Sequence, residues 1–134
     1  MTSPDNANIA RAFIETNARE GLRAAITRFA SNDLVWWTPA TGEIQDTIRK
    51  LADIMHASYD ENGLQFTIKR IVTQGDLVAA EYEGKGALKN GAVYNNHFFT
   101  LFVITAGKIR EVREYHETAH ANAIWGPVFA EAMA

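Results

Sequence analysis

The sequence predicts an α+β domain, with helices gathered first and packed on one face of a mostly antiparallel, curved sheet gathered last. Three observations predict it. Apolar residues recur at helical spacing in most of the chain up to Met55. After Asn62-Gly63 the apolar period drops to two. Short turn signals then divide the alternating runs: Gln74-Gly75-Asp76, Asn90-Gly91 and Ala106-Gly107-Lys108.

Ser3-Pro4-Asp5 reads as a helix start: a capping hydroxyl, proline at the first helical position, then an acid suited to the positive helix end. Ile9, Ala12, Phe13 and Thr16 follow on one helical face. Gly21 interrupts, and Leu22, Ala25, Ile26 and Phe29 make a second short helix. Asp33 to Thr38 is rich in strand formers and stops at Pro39. Ile44, Ile48, Leu51 and Met55 repeat at helical spacing and form the clearest helix, ended by Asn62-Gly63.

Leu64, Phe66 and Ile68 alternate with Gln65, Thr67 and Lys69, a strand with one wet face. Further strands are expected over Leu77 to Tyr82, Ala92 to Thr105 and Ile109 to about Thr118. Ala119 to Ala134, with Ile124, Trp125, Val128 and Phe129, fits a short helix or an arm. Such a sheet rolled around a long helix makes a cone, with two N-terminal helices beside it. The narrow part is core, and the mouth is a cavity lined by alternate strand residues.

The chain has 134 residues, is 47% hydrophobic and 22% charged, and shows no repeat or linker, so one domain over 1–134 is expected. It has no cysteine, which excludes disulfides, thiolate metal sites and cysteine nucleophiles. A net charge of −3 argues against a nucleic-acid partner. No apolar run is long enough for a membrane span, and Met1 to Ala10 lacks the basic-then-apolar order of a secretory leader. No membrane partner and a cytoplasmic location are the expectations. No HExxH-type spacing is present, and neither metal nor cofactor is expected.

Polar residues that share a face with the apolar lining are the candidates for chemistry. Glu114 and His116 stand two apart on the last strand and point the same way as Val112. Asn96, Phe98, Thr100 and Phe102 form one face of the preceding strand; His97 belongs to the other. The Ala106-Gly107 connection leaves the register open, and the opposite parities of Ile109 and Val112 point to a bulge. The favoured inner set is Asn96, Phe98, Thr100, Phe102, Val112, Glu114 and His116; in the other register His97 and Glu117 replace Asn96 and Glu114. A carboxylate beside an imidazole under an apolar lining suits general acid–base chemistry, because burial raises a carboxyl pKa toward that of imidazole. The competing reading leaves Glu114 and His116 solvated or paired with Arg110 or Arg113. Of adjacent Trp36 and Trp37, one faces in and one out. His56, after the helix stripe, is expected at the surface.

Gly107-Lys108-Ile109 through Arg113-Glu114-Tyr115-His116-Glu117-Thr118 resembles the ending of the polyketide-cyclase-like (SnoaL-like) branch of the ketosteroid isomerase and nuclear-transport-factor-two-like superfamily. Tyr94-Asn95-Asn96-His97-Phe98 and Ala119-His120-Ala121-Asn122-Ala123 are also similar to members of it. The resemblance implies the cone fold, a homodimer through the outer sheet face, and a hydrophobic pocket in which carboxylates move protons. It implies that Glu114 matches the acid with which related epoxide hydrolases activate water. The acidic and phenolic residues of steroid isomerases would fall at Thr38, Phe13 and Thr100, and the Arg-x-Asp pair of the epoxide hydrolases near Tyr82 to Gly84. None is present, so neither steroid isomerisation nor a full copy of the epoxide hydrolase mechanism is expected.

The expected function is therefore a small cofactor-free enzyme acting on an apolar, cyclic molecule by cyclisation, isomerisation or epoxide chemistry. Glu114, His116 and Asn96 are the expected catalytic residues. Phe13, Trp36, Trp37, Met55, Phe98, Thr100, Phe102 and Val112 are expected around the substrate. A non-catalytic ligand-binding or dimerisation module is the alternative.

Overall fold

The computed structural model describes residues 3–134; the side chains of Ser3 and Pro4, and with them the expected helix-start signals, lie outside the described set. The elements run α1 (Ser3–Glu20), α2 (Leu22–Phe29), β1 (Ala30–Thr38), β2 (Gly42–Glu43), α3 (Ile48–Ser58), β3 (Tyr59–Gln74), β4 (Leu77–Leu88), β5 (Val93–Thr105), β6 (Lys108–His116) and α4 (Thr118–Ala132). The strands form one six-stranded sheet in the order β2-β1-β6-β5-β4-β3. Every pairing is antiparallel except β1 with β6, which is parallel.

Gly21 separates the first two helices in a backbone conformation (φ 95°) that other residues rarely adopt. The long helix of the molecule is α1, not the segment around Ile44 to Met55. It buries Asn6, Ala10, Phe13, Ile14 and Thr16, a face turned from the expected Ile9–Ala12–Phe13–Thr16 stripe. Asn6 donates to the carbonyls of Gly75 (3.3 Å) and Ile104 (3.4 Å), tying α1 to the β3–β4 turn and to β5.

The third helix begins at Ile48 rather than Ile44, because the short β2 pairs Glu43 with Trp37 first. It ends at Ser58, and Asn62-Gly63 does not stop it. That dipeptide lies inside β3, where the register passes from Tyr59 opposite Leu88 to Leu64 opposite Gly86. Extra β3 residues bulge there, with Gly63 at positive φ and Asp60 accepting from the Asn62 amide at 2.9 Å.

Between β5 and β6 the chain turns in two residues, Ala106 (φ 51°) and Gly107 (φ 77°), the positive pair of a type I′ hairpin. Thr105 faces Lys108 and Ile104 faces Ile109, yet Val103 faces Glu111. Arg110 is thus an extra residue, a bulge that reverses the parity of β6. Phe102 consequently pairs with Val112, Thr100 with Glu114 and Phe98 with His116, all on the inner face.

The helices cover that inner face. One end of it is packed solid by Val78, Ala80, Phe102, Ile104, Ile109 and Val112 against Phe13, Ile14 and Ile26. Toward the ends of β1 and β6, the sheet, α3 and α4 stand apart and leave a cavity. The terminal segment is a full helix, α4. Its first free amides are capped by the Glu117 carboxylate, which accepts from Ala119 (3.1 Å) and His120 (2.6 Å).

Candidate active site

The cavity has a volume of about 440 Å³, within the range of small-molecule sites. Its wall includes Leu22 of α2, Trp36 and Thr38 of β1, Ile48, Leu51 and Met55 of α3, Tyr59, Leu64 and Phe66 of β3, Tyr94, Phe98, Glu114 and His116 of β5 and β6, and Trp125 and Phe129 of α4. Aromatic pairs knit it together. Tyr59 meets Trp125 edge-on at 5.4 Å, Tyr94 meets Trp125 at 5.5 Å, and Phe66 meets Phe98 at 5.7 Å. Two glycines of β4 give these rings room. A Cβ on Gly86 would stand 2.7 Å from Tyr59, and one on Gly84 would stand 2.9 Å from both Phe66 and Phe98.

Glu114 and His116 sit side by side on this wall, with Nδ1 of His116 3.5 Å from Oε1 of Glu114. Their side chains are 23% and 13% exposed. Burial pushes the Glu114 carboxyl up to about 7, and no neighbouring cation offsets it. Burial also pushes the His116 imidazole below its ordinary value, against a smaller upward pull from Glu117. The His116 Nδ1 atom is buried and makes no hydrogen bond, its approach to Glu114 being an ion-pair distance only. Near neutrality the pair therefore combines a carboxyl that can both give and take a proton with an uncharged imidazole. The arginines of the competing reading lie elsewhere. Arg113 stacks over Trp37 at 3.8 Å and pairs with Glu111, while Arg110 binds Thr105 and approaches Asp33.

Trp36, Met55 and Phe98 join Glu114 and His116 on the cavity wall. The other expected site residues do not. Asn96 is buried and saturated: its amide donates to Tyr94 Oη and the Glu117 carbonyl, both at 3.0 Å. Its oxygen accepts from the amides of His97 (2.8 Å) and Glu117 (3.0 Å). With its two donors and both lone pairs used, it has nothing left for a substrate. It fastens the start of α4 to β5 instead. Thr100 is buried against Tyr82, with their hydroxyl oxygens 2.8 Å apart. Phe13, Phe102 and Val112 pack the closed end, where Phe13 meets Phe102 at 5.7 Å. Trp37 faces outward beside Tyr115 at 5.4 Å. His97 is on the outer face, its side chain 83% exposed and 3.6 Å from Glu83. His56 is exposed, as expected, but stands at the cavity rim.

Sequence reasoning missed Tyr59, Phe66, Tyr94 and Trp125. Phe66 and Tyr94 were open to discovery through the same parity argument that selects Phe98. Tyr59 and Trp125 depend on where the third helix ends and on the last segment being helical. Among the described residues, no group of three or more His, Asp or Glu side chains is arranged to hold a metal ion, and no helix is long and apolar enough to cross a membrane.

Fold and cavity together define the class: a nuclear-transport-factor-two-like α+β domain, whose helices and curved sheet enclose this chamber. The chain belongs to the SnoaL-like domain family, whose model matches residues 10–112. No curated protein sequence matches it. Several solved structures share the fold. PrhC from Penicillium brasilianum superposes with a TM-score of 0.81 at 12% identity, covering 98% of this chain and 93% of that one. A protein of Jannaschia sp. CCS1 assigned to the SnoaL-like polyketide cyclases gives 0.74 at 16% identity, covering 91% and 92%. An LEH-like epoxide hydrolase of M. tuberculosis gives 0.73 at 18% identity, covering 88% and 86%. At these identities the likeness is one of fold.

Proposed function

We propose that the protein is a small enzyme that moves protons on an apolar, cyclic molecule held in the cavity. Glu114 acts as general acid or base, and His116 is its proton partner. The observation that carries this reading is a buried carboxyl on a cavity wall, uncompensated by any cation and poised near 7. Glu114 takes a proton from a C–H beside a carbonyl, or from a water, and returns it to another position of the same molecule. His116 lies close enough to exchange that proton in turn. Trp36, Met55 and Phe98 hold the apolar body and keep water out. Cyclisation, isomerisation and epoxide opening all need this kind of transfer, and positioned transfers contribute about 10²–10⁴ in rate. Folds shared with a cyclase-like protein and an epoxide hydrolase support the class of chemistry without choosing among these.

The test is deuterium exchange at the activated carbon of 2-tetralone, an apolar bicyclic ketone, followed by proton NMR in heavy water. Wild-type protein is expected to speed exchange, and Glu114→Gln to lose about 10²-fold or more of that rate. Equal rates for the two proteins would refute the assignment. A second reading, binding without catalysis, draws on the saturation of Asn96 and the burial of Thr100, which leave fewer groups to polarise a carbonyl; it predicts saturable binding with no exchange. We further propose that two copies pair through the outer sheet face around Phe99 and Tyr115, in the cytoplasm.

A further inference from the structure

We propose that the cavity is selective for cations, so that its ligand carries a basic or quaternary nitrogen on its apolar body. The inference rests on the cavity being a ligand site, as in the function proposed above, and adds the ligand's charge.

Two features of the cavity lead there. Its deep polar group is an acid without a cation: among the described residues the only ion-pair partner of Glu114 is His116, whose imidazole burial keeps uncharged. The remaining titratable groups that feel the Glu114 charge are phenols, Tyr59 on β3, Tyr82 on β4 and Tyr94 on β5, each held in its neutral form by burial. A carboxylate in such surroundings needs a positive partner, and the protein supplies none. The second feature is the aromatic wall. Tyr59, Phe66, Tyr94, Phe98 and Trp125 surround the acid with the ring systems whose faces attract organic cations in preference to anions.

The approach has the same sign. At the rim Asp60 and Glu61 stand with one guanidinium, Arg19, and one imidazole, His56, and the whole chain carries −3. A cationic ligand would draw Glu114 into its ionised form, so the acid would act as a base toward a C–H next to the bound nitrogen. An anionic ligand would meet a buried carboxyl and no donor cation.

The test uses a pair of isosteres, phenyltrimethylammonium and tert-butylbenzene, titrated against the full chain by tryptophan fluorescence, since Trp36 and Trp125 are on the wall. At about pH 8.5, where Glu114 is ionised, the cation is expected to bind about tenfold tighter or more. At about pH 5.5 that preference should shrink toward parity as Glu114 takes up its proton. Glu114→Gln should abolish the preference while retaining tert-butylbenzene, which also shows that the variant is folded. Equal or tighter binding of tert-butylbenzene by the wild type at the higher pH overturns charge selection and leaves the cavity reading intact. A cation preference that survives in Glu114→Gln overturns it too. If neither compound binds, both readings fail.

Discussion

Glu114 is costly to the fold. A carboxyl held at about 7 when folded and near 4.5 when unfolded binds its proton more tightly in the native state. Stability therefore declines as pH rises from about 4.5 to about 7 and is flat above, a total of about 3 kcal/mol. His116 acts oppositely: its depressed value removes stability as pH falls through about 6.5. Glu114→Gln is expected to raise the unfolding free energy measured by urea titration at pH ~8 by an amount approaching that figure, and to have little effect at pH ~4. A stability gain of the same size at both pH values would show that ionisation of Glu114 is not the cause. The identity of this residue as a candidate was legible in sequence, because two-residue spacing on a strand fixes which side chains share a side. The failure at Asn96 has an equally plain cause. Facing inward puts a side chain on the inner surface, but local hydrogen bonding decides whether it has any capacity left for a ligand.

At the level of elements, β4 contributes mostly by what it lacks. Gly84 and Gly86 lie beyond Tyr82, where the sequence predicts the strand to end, and the rings they accommodate come from distant segments. Gly86→Ala should force the buried Tyr59 ring to move, costing about 1–3 kcal/mol of stability and weakening ligand binding. Gly126 provides the contrast. It is inside α4 with no atom within 4 Å of an added Cβ. Gly126→Ala should be neutral or stabilising by up to about 1 kcal/mol. Chemical denaturation of both variants checks the pair, and the argument from packing fails if Gly86→Ala proves as benign. Element order, the two N-terminal helices and the hairpins were readable from periodicity and turn dipeptides. The end of α3 was not, because Asn62-Gly63 serves a bulge as well as it serves a helix stop. The sequence left the helicity of α4 open between a short helix and an arm. Its signal is a glutamate cap followed by a sequence that contains Gly126 and Pro127.

For the molecule as a whole, the sheet has two unlike surfaces. The inner one is covered by helices. The outer one carries Phe99, 49% exposed, directly opposite Tyr115, 41% exposed, with Trp37 and Arg113 alongside. Adjacent exposed aromatics at the centre of a sheet are the composition of a protein contact. Phe99→Glu is expected to convert a dimer into a monomer in sedimentation velocity runs without lowering the melting temperature of the isolated subunit. A wild-type protein that sediments as a monomer at every concentration would remove this proposal and leave the cavity untouched. The parallel pairing of β1 with β6, which closes the sheet around the chamber, had no local signature, since the two strands are separated by most of the chain.

The additional residue at Arg110 sets the phase of everything after it. Pairing Arg110 opposite Val103 in an unbulged ladder would rotate the rest of β6 by half a turn. Arg113 and Tyr115 would then project into the chamber, and Glu114 and His116 would emerge on the opposite surface. An aromatic pocket with a guanidinium in place of an acid would favour anions. In this architecture the sign of the charge that a chamber accepts can thus be inverted by a one-residue change of register, with no substitution at any residue that lines it.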